Sequence, residues 1–147
     1  MWYYNRKTFT SDLIPEGAVG FVYIMKVVLD GQTKFYIGKK NFYANRKVKF
    51  GKKEEALRTD KRKKAYKVVS KLDYENYYSS NQTLKDARKN GIEIKRVILK
   101  ICFSKIDMTY YETKYLFNMD ALESDSYLND NILGKFFKRN EKVQEVL

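Results

Sequence analysis

At 147 residues, with 44% hydrophobic and 16% aromatic residues, the chain is long enough for one cored domain and too apolar for disorder. Histidine is absent and cysteine occurs once. That excludes histidine general bases, Ser-His-Asp triads, a disulfide framework and zinc held by histidine or paired cysteines, leaving acid–base chemistry to Tyr, Lys, Asp, Glu or a metal-activated water. A formal charge of +12, no apolar run near the roughly 20 residues that span a bilayer, and no signal-type run behind Met1 predict a cytoplasmic protein with a polyanionic partner and no membrane.

Residues 1–19 read as an N-terminal arm closed by Pro15-Glu16-Gly17. A β-hairpin follows over 21–38, because Asp30-Gly31 between apolar runs is a strong two-residue turn signal. With that turn, Leu29 pairs with Gln32, Met25 with Tyr36 and Tyr23 with Gly38. Side chains alternate, so Tyr23 and Tyr36 share one face as diagonal neighbours. Val22, Ile24, Phe35 and Ile37 take the other face and are the expected core. Residues 41–50 and 54–70 read as cationic helices broken at Gly51, and 74–81 as a polar-aromatic loop. A short helix over 83–89 stops at Asn90-Gly91. Residues 92–103, which include Cys102, read as a third strand, 107–122 as a helix and 125–134 as a loop. A basic tail occupies 135–147. The predicted fold is α/β: a three-stranded antiparallel sheet flanked by helices, with one main domain over 20–134.

The charge is concentrated. Fourteen of the thirty Lys and Arg residues lie between Lys39 and Lys71, against the acids Glu54, Glu55 and Asp60. Such a segment has the footprint of a nucleic-acid partner, since each neutralised phosphate releases counterions. The expected binding residues are Lys40, Lys47, Lys61, Arg62, Lys63 and Lys64. Tyr78, Ser79 and Ser80 beside them supply stacking surface and hydroxyl donors. A solvated helix face is the simpler alternative.

Glu112 shares a helical stripe with Met108, Tyr115, Met119 and Leu122. A carboxylate on an inward face needs a reason. One is a capping box over Thr109-Tyr110-Tyr111-Glu112. The other is ligation of a hard divalent cation.

Taken together, these residues resemble the GIY-YIG endonuclease family, in its phage-type, homing-endonuclease-like branch. Val22-Tyr23 stands at the first motif and Tyr36-Ile37-Gly38 at the second. Lys39 follows directly, Arg46 lies eight residues after the glycine, and Glu112 sits on a helix after the third strand. Asn129 corresponds to a later asparagine of the family, with Asn131 as a competitor. The resemblance implies a metal-dependent endonuclease acting on duplex DNA, with Mg²⁺ or Mn²⁺ on Glu112. It assigns catalytic roles to Tyr23, Tyr36, Lys39, Arg46, Glu112 and Asn129. In that scheme Tyr23 activates or positions the attacking water, and Lys39 lowers its pKa for the first of these roles. One site per chain leaves room for a homodimer. A non-catalytic nucleic-acid-binding protein on the same fold is the alternative.

Overall fold

The computed structural model describes residues 1–57, 59 and 66–139. The chain begins with strands β1 (Trp2–Tyr4) and β2 (Lys7–Phe9), reversed through Asn5 and Arg6 at positive φ, and then a short 3-10 turn, Ser11–Leu13. Strands β3 (Gly20–Leu29) and β4 (Gln32–Asn41) follow, joined at Asp30 (φ 49°) and Gly31 (φ 77°). Two left-handed residues in succession match the twist of the flanking strands. The register is Met25↔Tyr36 and Tyr23↔Gly38, as the sequence predicts.

Of the helices expected over 41–50 and 54–70, only residues 54–57 are helical among the described residues. Residues 41–50 give β5 (Tyr43–Lys49), and the remainder divides into α1 (Lys52–Leu57) and β6 (Tyr66–Leu72). Lysine and arginine favour helix only weakly, whereas Tyr43, Val48, Tyr66, Val68 and Val69 are strong strand formers. Seven cross-strand pairs, from Tyr43↔Leu72 to Lys49↔Tyr66, settle the competition. The expected binding residues Lys61, Arg62, Lys63 and Lys64 lie outside the described residues.

Then come α2 (Gln82–Lys89), capped by the Asn81 side chain accepting from Leu84 N–H, β7 (Ile94–Cys102) and α3 (Lys105–Asn118). A small hairpin of β8 (Asn131–Ile132) and β9 (Phe136–Phe137) ends the described chain.

The sheet corrects the three-stranded expectation. It has five strands in the order β2-β1-β7-β3-β4, and it is mixed, because β1 runs parallel to β7 with Trp2 opposite Arg96. The arm expected over 1–19 thus supplies two strands, and Trp2 is buried in the core. Both faces of the sheet are covered. On the face expected to be the core, Val22, Ile37 and Cys102 pack with Met108, Leu116 and Leu122. On the tyrosine face, Phe21, Tyr23 and Met25 pack with Trp2, Phe9, Phe42, Tyr74 and Leu84. Edge-to-face ring pairs such as Trp2–Phe21 (4.9 Å) and Phe42–Tyr74 (5.2 Å) organise this second core.

The start of the basic tail is also structural. The Lys138 ammonium donates to the carbonyls of Ala121, Ser124 and Tyr127 at 2.9, 2.6 and 2.7 Å. All three of its protons are used to hold the chain that leaves α3.

Candidate active site

Tyr23 follows a register shift between β3 and β7 that falls between Val22 and Tyr23. Such bulges re-aim a side chain. Here the ring turns inward over Gly38, its cross-strand partner. A Cβ at Gly38 would lie 2.6 Å from Tyr23 Cζ, so only glycine leaves room for the phenol. Tyr23 is 1% exposed, with Tyr36 6.4 Å and Tyr77 5.9 Å away between ring centroids. Its hydroxyl donates to Tyr77 Oη over a long 3.4 Å.

This environment reverses the expected chemistry of the phenol. Burial, followed by the Tyr77 and Tyr36 neighbours, pushes the Tyr23 pKa far above the ordinary tyrosine value, and the Ser79 hydroxyl only partly offsets this. Tyr36 is raised as well, chiefly by burial and Tyr77, with Glu112 and Asp130 adding repulsion. Both tyrosines are therefore protonated at neutral pH. They can orient a phosphate or a water by hydrogen bonding, but they are poor bases.

Lys39, expected to act on Tyr23, faces the other side of the sheet. Its Nζ donates to Thr109 Oγ1 of α3 at 2.8 Å and lowers the pKa of Glu112. Burial outweighs that influence and leaves the Glu112 carboxyl above its usual range. The capping-box alternative for Glu112 does not hold. The N-cap is Ser104, whose Oγ accepts from Asp107 N–H at 3.1 Å, which leaves Glu112 in mid-helix between buried Met108 and Leu116. Helix α3 also starts and stops earlier than the 107–122 expected, with Met119 at its C-cap and 44% exposed.

Glu112 is thus a single half-buried carboxylate with a cation and a phenol nearby. Among the described residues, no three of His, Cys, Asp and Glu cluster as a metal cage. One carboxylate does not suit zinc. It does suit Mg²⁺ or Mn²⁺, which can bind one carboxylate and keep several waters.

Asn129 is committed to the hairpin. Its Oδ1 accepts from Ile37 N–H at 3.0 Å and its Nδ2 donates to Ile37 C=O at 2.8 Å. Together with the bonds of Phe35 N–H to Ser126 C=O and Leu128 N–H to Phe35 C=O, it covers the outer edge of β4 up to Ile37. This geometry makes Asn129 a positioning residue that fixes the strand carrying Tyr36 and Lys39. Its competitor Asn131 is exposed and bonds Gly134 N–H. Replacing Asn129 by aspartate should cost about 2–3 kcal/mol, because the Ile37 carbonyl loses its donor and a charge is buried. Urea unfolding of the variant should show the loss growing as pH rises from 4 to 7, as the new carboxyl ionises.

Of the expected nucleic-acid residues, several are occupied internally. Lys40 pairs with Asp73 at 2.7 Å and lies over the Tyr77 ring. Tyr78 stacks with the guanidinium groups of Arg88 and Arg96, each 3.9 Å from its centroid. Ser79, buried and at φ 76°, accepts from Asn81 N–H, whereas Ser80 and Lys47 are exposed. Arg46 is exposed on β5, opposite Val69.

Sequence reasoning missed Arg96. Buried beside Trp2, it donates from Nη1 to the carbonyls of Glu75 and Tyr77 at 2.8 and 2.9 Å. It thereby clamps the loop that presents Tyr77 and Ser79 to the paired tyrosines. Its sole sequence signal is an arginine at an inward-alternating position of an apolar strand. Arg96→Met should cost about 2–3 kcal/mol by leaving two carbonyls without a donor, measurable as a lower urea midpoint.

The fold and this site define a small α/β domain in which Tyr36, one of two paired hairpin tyrosines, lies within electrostatic reach of a helix-borne glutamate. Residues 2–132 match the family model described as "Putative endonuclease segE, GIY-YIG domain". The chain belongs to the GIY-YIG endonuclease family, as its resemblance to the phage-type branch implies. Membership implies nuclease function with DNA as substrate. No curated protein and no solved structure matches the chain. No helix among the described residues is long and apolar enough to cross a membrane.

Proposed function

We propose that this protein is a metal-dependent endonuclease that hydrolyses phosphodiester bonds of duplex DNA. The observation that carries this reading is Glu112, a desolvated carboxylate in mid-helix, within electrostatic reach of Lys39 and Tyr36. A protein rarely keeps such a group without a compensating cation. Glu112 would hold Mg²⁺ or Mn²⁺. When bound, the ion supplies positive charge to the scissile phosphate and the leaving 3′ oxygen.

The chain's own residues do the rest. Tyr36, held by Asn129 through its neighbour Ile37, orients the attacking water against the phosphate. Tyr23 stays protonated, buttressed by Tyr77, and fixes Tyr36 from behind. Lys39 adds charge from the α3 side, and Arg46 adds a forked donor to the pentacoordinate phosphate as charge develops. Attack at phosphorus breaks the bond to the 3′ oxygen, one strand at a time. A double-strand break then needs a second chain or a second visit.

Nicking of supercoiled plasmid in Mg²⁺, Mn²⁺ or EDTA tests this reading. Metal-dependent nicking lost in Arg46→Ala and Glu112→Ala is the expected result. Salt-sensitive binding without cutting in any metal would favour the non-catalytic reading. The soluble, cytoplasmic setting expected from the sequence fits either outcome.

A further inference from the structure

Strands β5 and β6 form a two-stranded sheet of their own, hydrogen-bonded to each other and outside the five-stranded sheet. The segment that carries them leaves and rejoins the core at one point. Asp73 N–H donates to Phe42 C=O at 2.9 Å, while Phe42 and Tyr74 pack ring to ring inside the core. The ribbon is uniformly cationic: Arg46, Lys47, Lys49, Lys67 and Lys71 stand on its fourteen strand residues without one acid. It is also unusually apolar for an exposed element, with Val68 64%, Tyr66 46% and Val69 41% exposed.

Paired residues share a face. The register therefore puts Asn45, Lys47, Lys49, Val68 and Ser70 on one side, and Arg46, Lys67, Val69 and Lys71 on the other. On the first side Ser70 Oγ donates to Asn45 Oδ1 at 2.7 Å, which presents an ordered amide and hydroxyl between the Tyr43↔Leu72 and Lys47↔Val68 pairs. We infer that this ribbon is a DNA-docking element that enters the major groove, with the Asn45–Ser70 face toward the base edges. The inference rests on the DNA-substrate reading above. The groove of B-form DNA admits a two-stranded ribbon, and amide, hydroxyl, ammonium and methyl groups are the chemistry that reads its edges. Seven residues per strand span about 23 Å, enough to follow the groove over roughly half a helical turn or more. Positive charge without acids selects a polyanion over a protein surface of mixed charge, and the deep, narrow major groove of A-form RNA would not admit the ribbon. Arg46, on the opposite face, remains available to a phosphate.

Binding of a fluorescent duplex in EDTA reads the ribbon without cleavage. The double variant Lys47→Ala, Lys49→Ala should bind about tenfold more weakly near physiological salt. The slope of log affinity against log salt should become shallower by up to about 1.8, since two ammonium groups no longer neutralise phosphate charge along the groove. Replacing residues 44–71 by Asn-Gly, which turns the Tyr43↔Leu72 pair into a closed hairpin end, should weaken binding further while thermal unfolding of the core persists. Methyl green, a major-groove ligand, should displace the protein, and the minor-groove ligand netropsin should not. Unchanged affinity and slope in the double variant, displacement by netropsin, or equal binding of duplex RNA would each overturn the proposal. Loss of the nuclease reading looks different: nicking is absent although ribbon-dependent binding persists.

Discussion

Glu112→Ala should lower metal-dependent nicking by about 10³-fold or more, the scale expected when several kcal/mol of cation-derived stabilisation disappear from the transition state. Duplex binding measured in EDTA should stay within about twofold of wild type, since the net cationic surface lies elsewhere. A wild-type cleavage rate in this variant would remove Glu112 from the site. The same carboxylate gives a stability signature with a defined sign. Its pKa is higher in the folded chain than in the unfolded one, so the folded state binds the proton more tightly. In EDTA, its contribution to stability falls as pH rises from the ordinary glutamate range through the raised folded value. Glu112→Gln removes that penalty. The difference in Tm, variant minus wild type, should therefore grow between pH 4 and pH 7 in EDTA and shrink when Mg²⁺ is added. A flat difference across that range would show that the carboxylate is not desolvated.

Gly38→Ala should be the most damaging single methyl addition in the hairpin, costing about 3 kcal/mol. The added Cβ meets the Tyr23 hydroxyl and ring, which cannot swing away because Trp2, Phe21 and Tyr77 enclose them. Either β4 moves outward, breaking the Asn129 bonds to Ile37, or Tyr23 is expelled from the core. Both outcomes displace Tyr36 and Lys39, so activity should fall with stability. Urea unfolding gives the cost directly. Placing the substitution in a Tyr23→Phe background should recover part of it, because the closest atom, the hydroxyl, is gone. Strictly additive losses in the double variant would refute a direct clash.

The hairpin shows how far local chemistry alone can be read. Asp30-Gly31 demands two left-handed residues, and that demand fixes every cross-strand pair from Leu29↔Gln32 outward. The same holds for the Asn90-Gly91 stop after α2 and for the inward carboxylate at Glu112. What escaped the sequence is non-local. Trp2–Tyr4 is too short to announce itself as a strand, and nothing near it indicates that its partner is Arg96–Ile98. Missing those strands hid the second core and, with it, the burial that raises the Tyr23 pKa. Residues 41–50 and 54–70 read as helix because lysine and arginine dominate the pattern. Yet Tyr66, Val68, Ser70 and Leu72 already alternate with lysine or valine in strand fashion. Asn129 was picked out by resemblance, but its pairing with the Ile37 backbone depends on where the loop after α3 returns.

The parallel pairing of β1 with β7 has a consequence for the order of assembly during synthesis. Trp2 is made more than ninety positions before Arg96, and its indole N–H bonds the Tyr74 carbonyl at 2.9 Å. Until β7 emerges, β1 has no strand beside it other than β2, and long-range pairings of this kind form slowly. The nascent chain therefore carries this aromatic segment without its partner strand. It is sealed only after the hairpin, the ribbon and α2 have been made.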